Sequence, residues 1–183
     1  MLNRIIIIRL EMPRSGIMEV SMKSIVVYFS MDGNSQYVAE KIQKYIGAET
    51  LRLEPIKAYP KGNASKYFWG GKSVVFGEQP QLVPYNFAPA DYDVIIIGTP
   101  VWAGSFTPPI KTFIRDNDLS KKKIALYACN SGGSAEKCFD KLRKELPDCD
   151  VIATLELANP GSNQREENVL KIEKFCNSIS NNL

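Results

Sequence analysis

Apolar positions along this chain occur in two patterns, unbroken runs and runs with helical spacing. Residues 24–29, 93–98 and 123–128 are short runs made almost entirely of apolar side chains. Such runs are typical of strands that are buried on both faces of a parallel sheet. Residues 50–54 alternate apolar and polar side chains, and residues 151–157 form another apolar-rich run, so each segment predicts a further strand.

Helical spacing of apolar side chains fills the segments between these strands. It predicts helices over residues 36–46, 108–115, 134–146 and 166–179. Residues 64–76 predict a weaker helix, because two adjacent glycines interrupt the pattern. Strands that alternate with helices indicate an α/β fold with three layers, in which helices cover both faces of a parallel sheet.

The first 23 residues are predicted to be an appendage to a single domain over residues 24–183. Their apolar run, residues 5–8, is too short for a transmembrane helix and lacks the length of a signal-peptide core. The alternative is an extra strand or a packing arm, since residues 4–10 have β propensity. We expect no membrane span.

Composition excludes several classes of function. The 183 residues carry a net charge of +3 and no basic stripe with interleaved aromatics, which argues against nucleic-acid binding. The chain has no histidine, which excludes a Ser-His-Asp triad and any histidine-ligated metal site. Its four cysteines are widely spaced without a C-x-x-C motif, which argues against zinc and favours a reducing compartment, the cytoplasm.

The loop between the first strand and the first helix is suited to an anion. It is rich in hydroxyl and amide side chains, contains Gly33, and leads into a helix N-terminus with free N–H groups. No Lys or Arg lies between Ser30 and Glu40, and no P-loop or dinucleotide motif is present. A phosphate held without a cation suggests a terminal monophosphate such as that of FMN. The alternative is an ordinary helix start with Asp32 or Asn34 as the N-cap.

Two further loops follow predicted strands. In residues 99–106, Trp102 could cover a flat aromatic ligand, or it could pack on the prolines of its own loop. In residues 130–133, two glycines allow the backbone to approach a ligand, or the loop could be a turn with Ser134 capping the next helix. Because the carboxyl ends of parallel strands share one edge of a sheet, all three loops are expected to meet there.

These motifs resemble the flavodoxin-like FMN proteins, and in particular short oxidoreductases with a Gly-Thr-Pro-Val-Trp-Ala-Gly turn at residues 98–104. The resemblance covers the chain from about residue 24 to the last helix. It implies a five-stranded parallel sheet in the order 2-1-3-4-5 and non-covalently bound FMN. The predicted cofactor-binding residues are Ser30, Met31, Asp32, Gly33, Asn34, Ser35, Thr99, Pro100, Val101, Trp102, Ala103, Gly104, Cys129, Asn130, Ser131, Gly132 and Gly133.

The chain departs from the family in three respects. Asp32 stands where the phosphate loop commonly has threonine, and its carboxylate would repel a phosphate unless it turns outward. The third loop lacks the tyrosine that electron-carrier flavodoxins usually stack on the second flavin face. The net charge is positive, whereas those carriers are usually acidic.

We therefore expect an FMN-dependent oxidoreductase that passes electrons or hydride from a reductant, with NAD(P)H as a candidate, to a small acceptor such as a quinone. No catalytic side chain and no metal are predicted, because the cofactor carries the chemistry. Cys129 could tune the flavin or be a small buried residue. The alternative function is a flavodoxin-type carrier that serves a redox partner protein. An uncovered flavin face also makes a homodimer an expectation. A phosphoacceptor receiver domain is disfavoured, because the third strand ends in Gly98-Thr99 rather than aspartate.

Overall fold

A computed structural model describes residues 22–59, 74, 77–162 and 166–182. Its strands are β1 (Ser24–Tyr28), β2 (Glu49–Arg52), β3 (Val94–Pro100), β4 (Lys123–Asn130) and β5 (Asp150–Ala158). Its helices are α1 (Asn34–Ile46), α2 (Pro108–Asp116), α3 (Glu136–Glu145) and α4 (Glu166–Asn181), with a short 3-10 turn at Pro89–Asp91. The predicted appendage and the predicted helix over residues 64–76 lie almost wholly outside the described residues.

The five strands form one sheet in the order β2-β1-β3-β4-β5, with every neighbouring pair parallel. This arrangement confirms the predicted fold class and strand order. The three apolar runs form the three central strands, β1, β3 and β4, which are buried almost throughout. The alternating run forms β2, an edge strand whose side chains are mostly exposed.

Alternate residues of the central strands separate into two cores. On one face, Val27, Ile97 and Leu126 belong to a buried cluster that includes side chains of α2 and α3. On the other face, Val26 and Ile96 belong to a cluster that includes side chains of α1 and α4. A strand that contributes to two cores has no solvated face, which explains why these runs are apolar at every position.

Two helices begin at a residue other than the predicted one. α1 begins at Asn34, two residues before the predicted start, because Gly33 adopts a left-handed backbone with φ of 83° and occupies the N-cap. α3 begins at Glu136 rather than residue 134, because Ser134 and Ala135 form the turn that precedes it. Both differences lie next to loops of the predicted site.

Gly98 in β3 leaves space for the side chain of its β4 neighbour to lie across β3. Gly98 pairs with Tyr127, and a β-carbon at Gly98 would lie 2.0 Å from the Tyr127 ring. The fully buried Tyr127 instead extends to α1, where its hydroxyl donates a hydrogen bond of 2.8 Å to the Ser35 carbonyl. This contact attaches the first turn of α1 to the middle of the sheet.

Burial suppresses ionisation of the core thiols. Cys129, Cys138 and Cys176 are almost inaccessible to solvent, and desolvation raises the pKa of each to about 12. The pKa of Tyr127 is likewise raised well above its ordinary value by burial. These groups stay neutral in the folded protein over a pH range in which they ionise in an unfolded chain.

Gly98→Ala is expected to lower the free energy of unfolding by about 3 kcal/mol, because the added methyl group overlaps the Tyr127 ring. Urea unfolding measures the change. In a Tyr127→Val background the same glycine substitution should cost much less, since the obstructing ring is gone. Equal costs in the two backgrounds would show that the ring is not the reason for the glycine.

The free energy of unfolding is expected to fall as pH rises from about 9 to 12, because unfolded thiols ionise near pH 8.5 while the buried thiols keep their protons. Each such thiol contributes a slope of at most about 1.4 kcal/mol per pH unit. Cys176→Ala should make the slope shallower in denaturant titrations, and Cys149→Ala, at a half-buried thiol, should change it less. An unchanged slope in Cys176→Ala would contradict this assignment.

Candidate functional site

The three predicted loops follow β1, β3 and β4, and the sheet order brings them to its carboxyl edge. Backbone hydrogen bonds link the strand ends directly. The Phe29 N–H donates to the Gly98 carbonyl at 3.2 Å, and the Val101 N–H donates to the Cys129 carbonyl at 2.8 Å. The loops therefore start from fixed positions, as the sequence predicts.

The N-cap residue of α1 makes no side-chain hydrogen bond to the first turn of the helix. That residue is Gly33, which has no side chain, so the alternative with Asp32 or Asn34 as the N-cap is wrong. The first helical hydrogen bond runs from the Tyr37 N–H to the Gly33 carbonyl at 2.8 Å. The preceding N–H groups of a first turn have no partner inside a helix and, with the helix dipole, favour an anion.

Two serine hydroxyls of this loop are buried without a hydrogen-bond partner. The Oγ atoms of Ser30 and Ser35 are both shielded from solvent, and neither makes a hydrogen bond. Ser35 Oγ faces the Cys129 thiol, which is only a weak acceptor, and this contact lowers the pKa of the thiol against the larger rise from burial. A buried hydroxyl without a partner costs about 1–3 kcal/mol, and a phosphate oxygen in the loop would supply the missing acceptor. The residues present thus fit a phosphate group.

The other members of the first loop have different roles. Asn34 Oδ1 accepts a hydrogen bond of 2.8 Å from the Gly161 N–H, so this side chain holds the loop after β5. The Met31 side chain is half-buried against the core. Asp32 is exposed, which is compatible with a carboxylate turned away from a bound phosphate.

The second loop is a tight hairpin that is pinned at its base. The backbones of Trp102 and Ser105 exchange hydrogen bonds of 2.8 and 2.9 Å, and both residues between them have positive φ, 48° at Ala103 and 66° at Gly104. Two successive positive φ values are typical of a type I′ turn. Below the hairpin, the buried Thr99 Oγ1 lies 3.1 Å from Thr107 Oγ1 and accepts from the Thr107 N–H. The Thr99 hydroxyl is therefore already hydrogen-bonded within the protein.

Trp102 belongs to an aromatic cluster at the same edge. Its ring meets Phe29 and Tyr59 edge to face, with centroid separations of 5.7 and 5.1 Å. Such pairs fix the orientation of the indole, which stays partly exposed. The Tyr59 hydroxyl is buried without a partner, and burial, with a smaller contribution from Glu78, raises its pKa above the ordinary value. Trp102 as a cover for a ligand stays a prediction.

The third loop is organised by Asn130. Its Oδ1 accepts from the Gly132 N–H at 3.0 Å, and its Nδ2 donates to the Gly133 carbonyl and to Glu156 Oε1. Ser131, Gly132 and Gly133 are exposed, with φ near 120° at both glycines. The Asn130 side chain thus shapes the loop, and the segment that follows it is what a ligand could meet.

The alternative interpretation of the third loop is correct in part. Ser134 Oγ accepts a hydrogen bond of 3.1 Å from the Glu136 N–H, as a residue that starts a helix does. Ala135 rather than Ser134 occupies the N-cap. Cys129, at the end of β4, is 3% exposed with a neutral thiol, which agrees with a small buried residue.

A cation that was not predicted lies at the first loop. Arg52, at the end of β2, donates from Nη2 to the Ser30 carbonyl at 3.2 Å and from Nη1 to Gln36 Oε1 at 2.7 Å. Arg52 lies outside the segment from Ser30 to Glu40, which contains no Lys or Arg. The predicted strand order could have indicated this cation, because it places the end of β2 beside the end of β1 at the same edge of the sheet.

Other classes of site are not found in the part of the chain that the structure describes. No group of three or more acidic, cysteine or histidine side chains could hold a metal ion there. Within the same ranges, none of the helices has both the length and the apolar character needed to cross a membrane.

Comparison with known proteins agrees with the resemblance. A "putative flavoprotein" from Bacteroides eggerthii DSM 20697 is 24% identical with a TM-score of 0.70, covering 86% of this chain and 98% of that one. A flavoprotein in complex with FMN from Lactobacillus acidophilus NCFM is 20% identical with a TM-score of 0.65, covering 77% and 95%. Oxidised flavodoxin 2 from Bacillus cereus is 19% identical with a TM-score of 0.57, covering 88% and 99%. At these identities the structures show a shared fold.

No curated protein matches the chain. A family model described as flavodoxin matches residues 23–172, most of the chain. The match includes all three loops at the carboxyl edge of the sheet. The chain therefore belongs to the flavodoxin family.

Proposed function

We propose that this protein binds FMN non-covalently at the carboxyl edge of the sheet and works as an oxidoreductase. It would pass electrons or hydride from a reductant, with NAD(P)H as the candidate, to a small acceptor such as a quinone. The observation that carries the cofactor assignment is the pair of buried hydroxyls without a hydrogen-bond partner, Ser30 and Ser35, beside a helix N-terminus whose N-cap residue is a glycine. Membership of the flavodoxin family and a fold shared with a flavoprotein in complex with FMN support the same cofactor.

The residues of the first loop would hold the phosphate. Ser30 and Ser35 would donate through their hydroxyls, and the first turn of α1 through its backbone N–H groups. The flavin ring would lie with the hairpin of Trp102 and the segment 131–133, where the exposed backbone allows close approach. When bound, FMN supplies the redox chemistry, and the chain supplies binding and orientation.

Two common catalytic groups, a histidine and an ionised thiol, are not present among the described residues at this edge. The chain has no histidine, and the Cys129 thiol keeps its proton because burial raises its pKa to about 12. A protein that only orients the cofactor needs neither group, so the composition agrees with chemistry carried by the flavin.

The exposed third loop favours a small acceptor over a protein partner. Segment 131–133 contains no aromatic side chain that could cover the second face of a flavin. An open face leaves room for a nicotinamide, a quinone or a second copy of the chain, and the homodimer stays a prediction. The net charge of +3 also differs from the acidic surface expected of a carrier.

The alternative proposal is a flavodoxin-type carrier that passes electrons between redox proteins. It is favoured by the fold shared with oxidised flavodoxin 2 from Bacillus cereus and with a Megasphaera elsdenii flavodoxin. A reducing compartment, the cytoplasm, suits either function, because all four cysteines are free thiols.

Ser30→Ala is expected to weaken FMN binding by about tenfold while raising the free energy of unfolding of the ligand-free protein by about 1 kcal/mol, since a buried unpartnered hydroxyl is removed. Flavin fluorescence quenching and urea unfolding measure the two effects. Ser24→Ala is the matched control, because Ser24 Oγ is also buried without a partner but lies at the opposite end of β1. It should raise stability and leave FMN affinity unchanged. Unaltered FMN affinity in Ser30→Ala would refute the phosphate site.

Stopped-flow mixing of the FMN-loaded protein with NADH or NADPH separates the two proposals. The oxidoreductase predicts rapid loss of the oxidised flavin absorbance, followed by its return when a quinone is added. The carrier predicts no reduction by either nucleotide, together with reduction by dithionite in two separate one-electron stages. The second result would overturn the proposed oxidoreductase and leave FMN binding intact.

A further inference from the structure

Arg52 joins the two ends of the first loop. Its guanidinium donates to the Ser30 carbonyl at the start of the loop and to Gln36 Oε1 in the first turn of α1, at 3.2 and 2.7 Å. Gln36 Nε2 in turn donates to Glu40 Oε1 at 2.9 Å, which orients the Gln36 amide. A planar guanidinium with several donors in fixed directions can hold two acceptors at once.

The contact with Ser30 fixes the direction of the next N–H group. No described peptide bond is cis, so the Ser30–Met31 peptide is trans. In a trans peptide the carbonyl and the following N–H point in opposite directions. Because the Ser30 carbonyl points at Arg52, the Met31 N–H points away from it, on the side of the chain that Arg52 does not cover.

The charges around Arg52 favour a positional role. Arg52 Nε lies 3.5 Å from Glu54 Oε1, and both side chains are about half exposed. Glu54 lies just beyond the end of β2, and an ion pair this exposed contributes little energy. The contribution of Arg52 therefore lies in its two hydrogen bonds, to the Ser30 carbonyl and to Gln36 Oε1, which join the two ends of the loop.

We propose that Arg52 is a positioning residue for the phosphate of the flavin: by holding the Ser30 carbonyl and the Gln36 side chain, it presents the Met31 N–H to the phosphate and makes the site select FMN over riboflavin. This inference rests on the proposed binding of FMN. It assigns phosphate selectivity to a residue on the edge strand, outside the loop that meets the phosphate.

The test compares FMN and riboflavin, which differ only by the phosphate. Arg52→Met keeps most of the side-chain stem and removes the donors. It should weaken FMN binding by about tenfold, leave the riboflavin Kd within about twofold, and leave the Tm of the ligand-free protein unchanged. The shift of the Met31 amide resonance on adding FMN should also become smaller. Arg52→Lys should lose most of the FMN affinity as well, because one ammonium does not reproduce the two-acceptor geometry.

Two variants serve as controls. Glu54→Gln removes the ion pair and keeps both hydrogen bonds of Arg52, and Arg115→Met removes an arginine that pairs with Asp116 far along the chain. Both should bind FMN and riboflavin as the unaltered protein does. Equal weakening of FMN and riboflavin in Arg52→Met, or wild-type FMN affinity in Arg52→Lys, would overturn the positioning role. If the unaltered protein fails to bind FMN, the proposed function itself fails.

Discussion

The side chain of Tyr127 lies across Gly98 of the neighbouring strand, and its hydroxyl donates a hydrogen bond of 2.8 Å to the Ser35 carbonyl. The crossing requires a residue without a side chain on β3, and Gly98 meets that requirement at the pairing position of Tyr127. The contact holds the first turn of α1 against β4, in the middle of the sheet. The candidate phosphate loop is thus held by two sets of contacts, the buried hydrogen bond from Tyr127 and the hydrogen bonds from Arg52. Its backbone is therefore positioned in the ligand-free protein.

At the carboxyl edge, the polar side chains that shape the second and third loops are paired, whereas two buried hydroxyls of the first loop are not. Thr99 pairs with Thr107, and Asn130 pairs with its own loop and with Glu156. Ser30 and Ser35 have no such partner. Leaving buried hydroxyls unpaired lowers stability, and a functional site is where such a cost is expected to persist.

The strands, the strand order and the meeting of the loops could be predicted because each depends on local pattern or on the known resemblance. Residues 93–98 are apolar at nearly every position, which already excludes a solvated face. The roles of Asn34 and Arg52 could not be predicted in this way. Asn34 accepts a hydrogen bond from the N–H of Gly161, a residue distant in the chain, and Arg52 reaches Ser30 from the neighbouring strand. Both partners become visible only when the three-dimensional arrangement is known.

Amide chemical-shift mapping during an FMN titration tests the central claim most directly, since it reports both binding and its place. The account predicts saturable shifts in residues 30–36, 99–106 and 130–134, with little change in residues 22–23 and 121–123 at the opposite edge of the sheet. Absence of saturable shifts, or shifts concentrated at the amino edge, would contradict an FMN site built on the three carboxyl-edge loops.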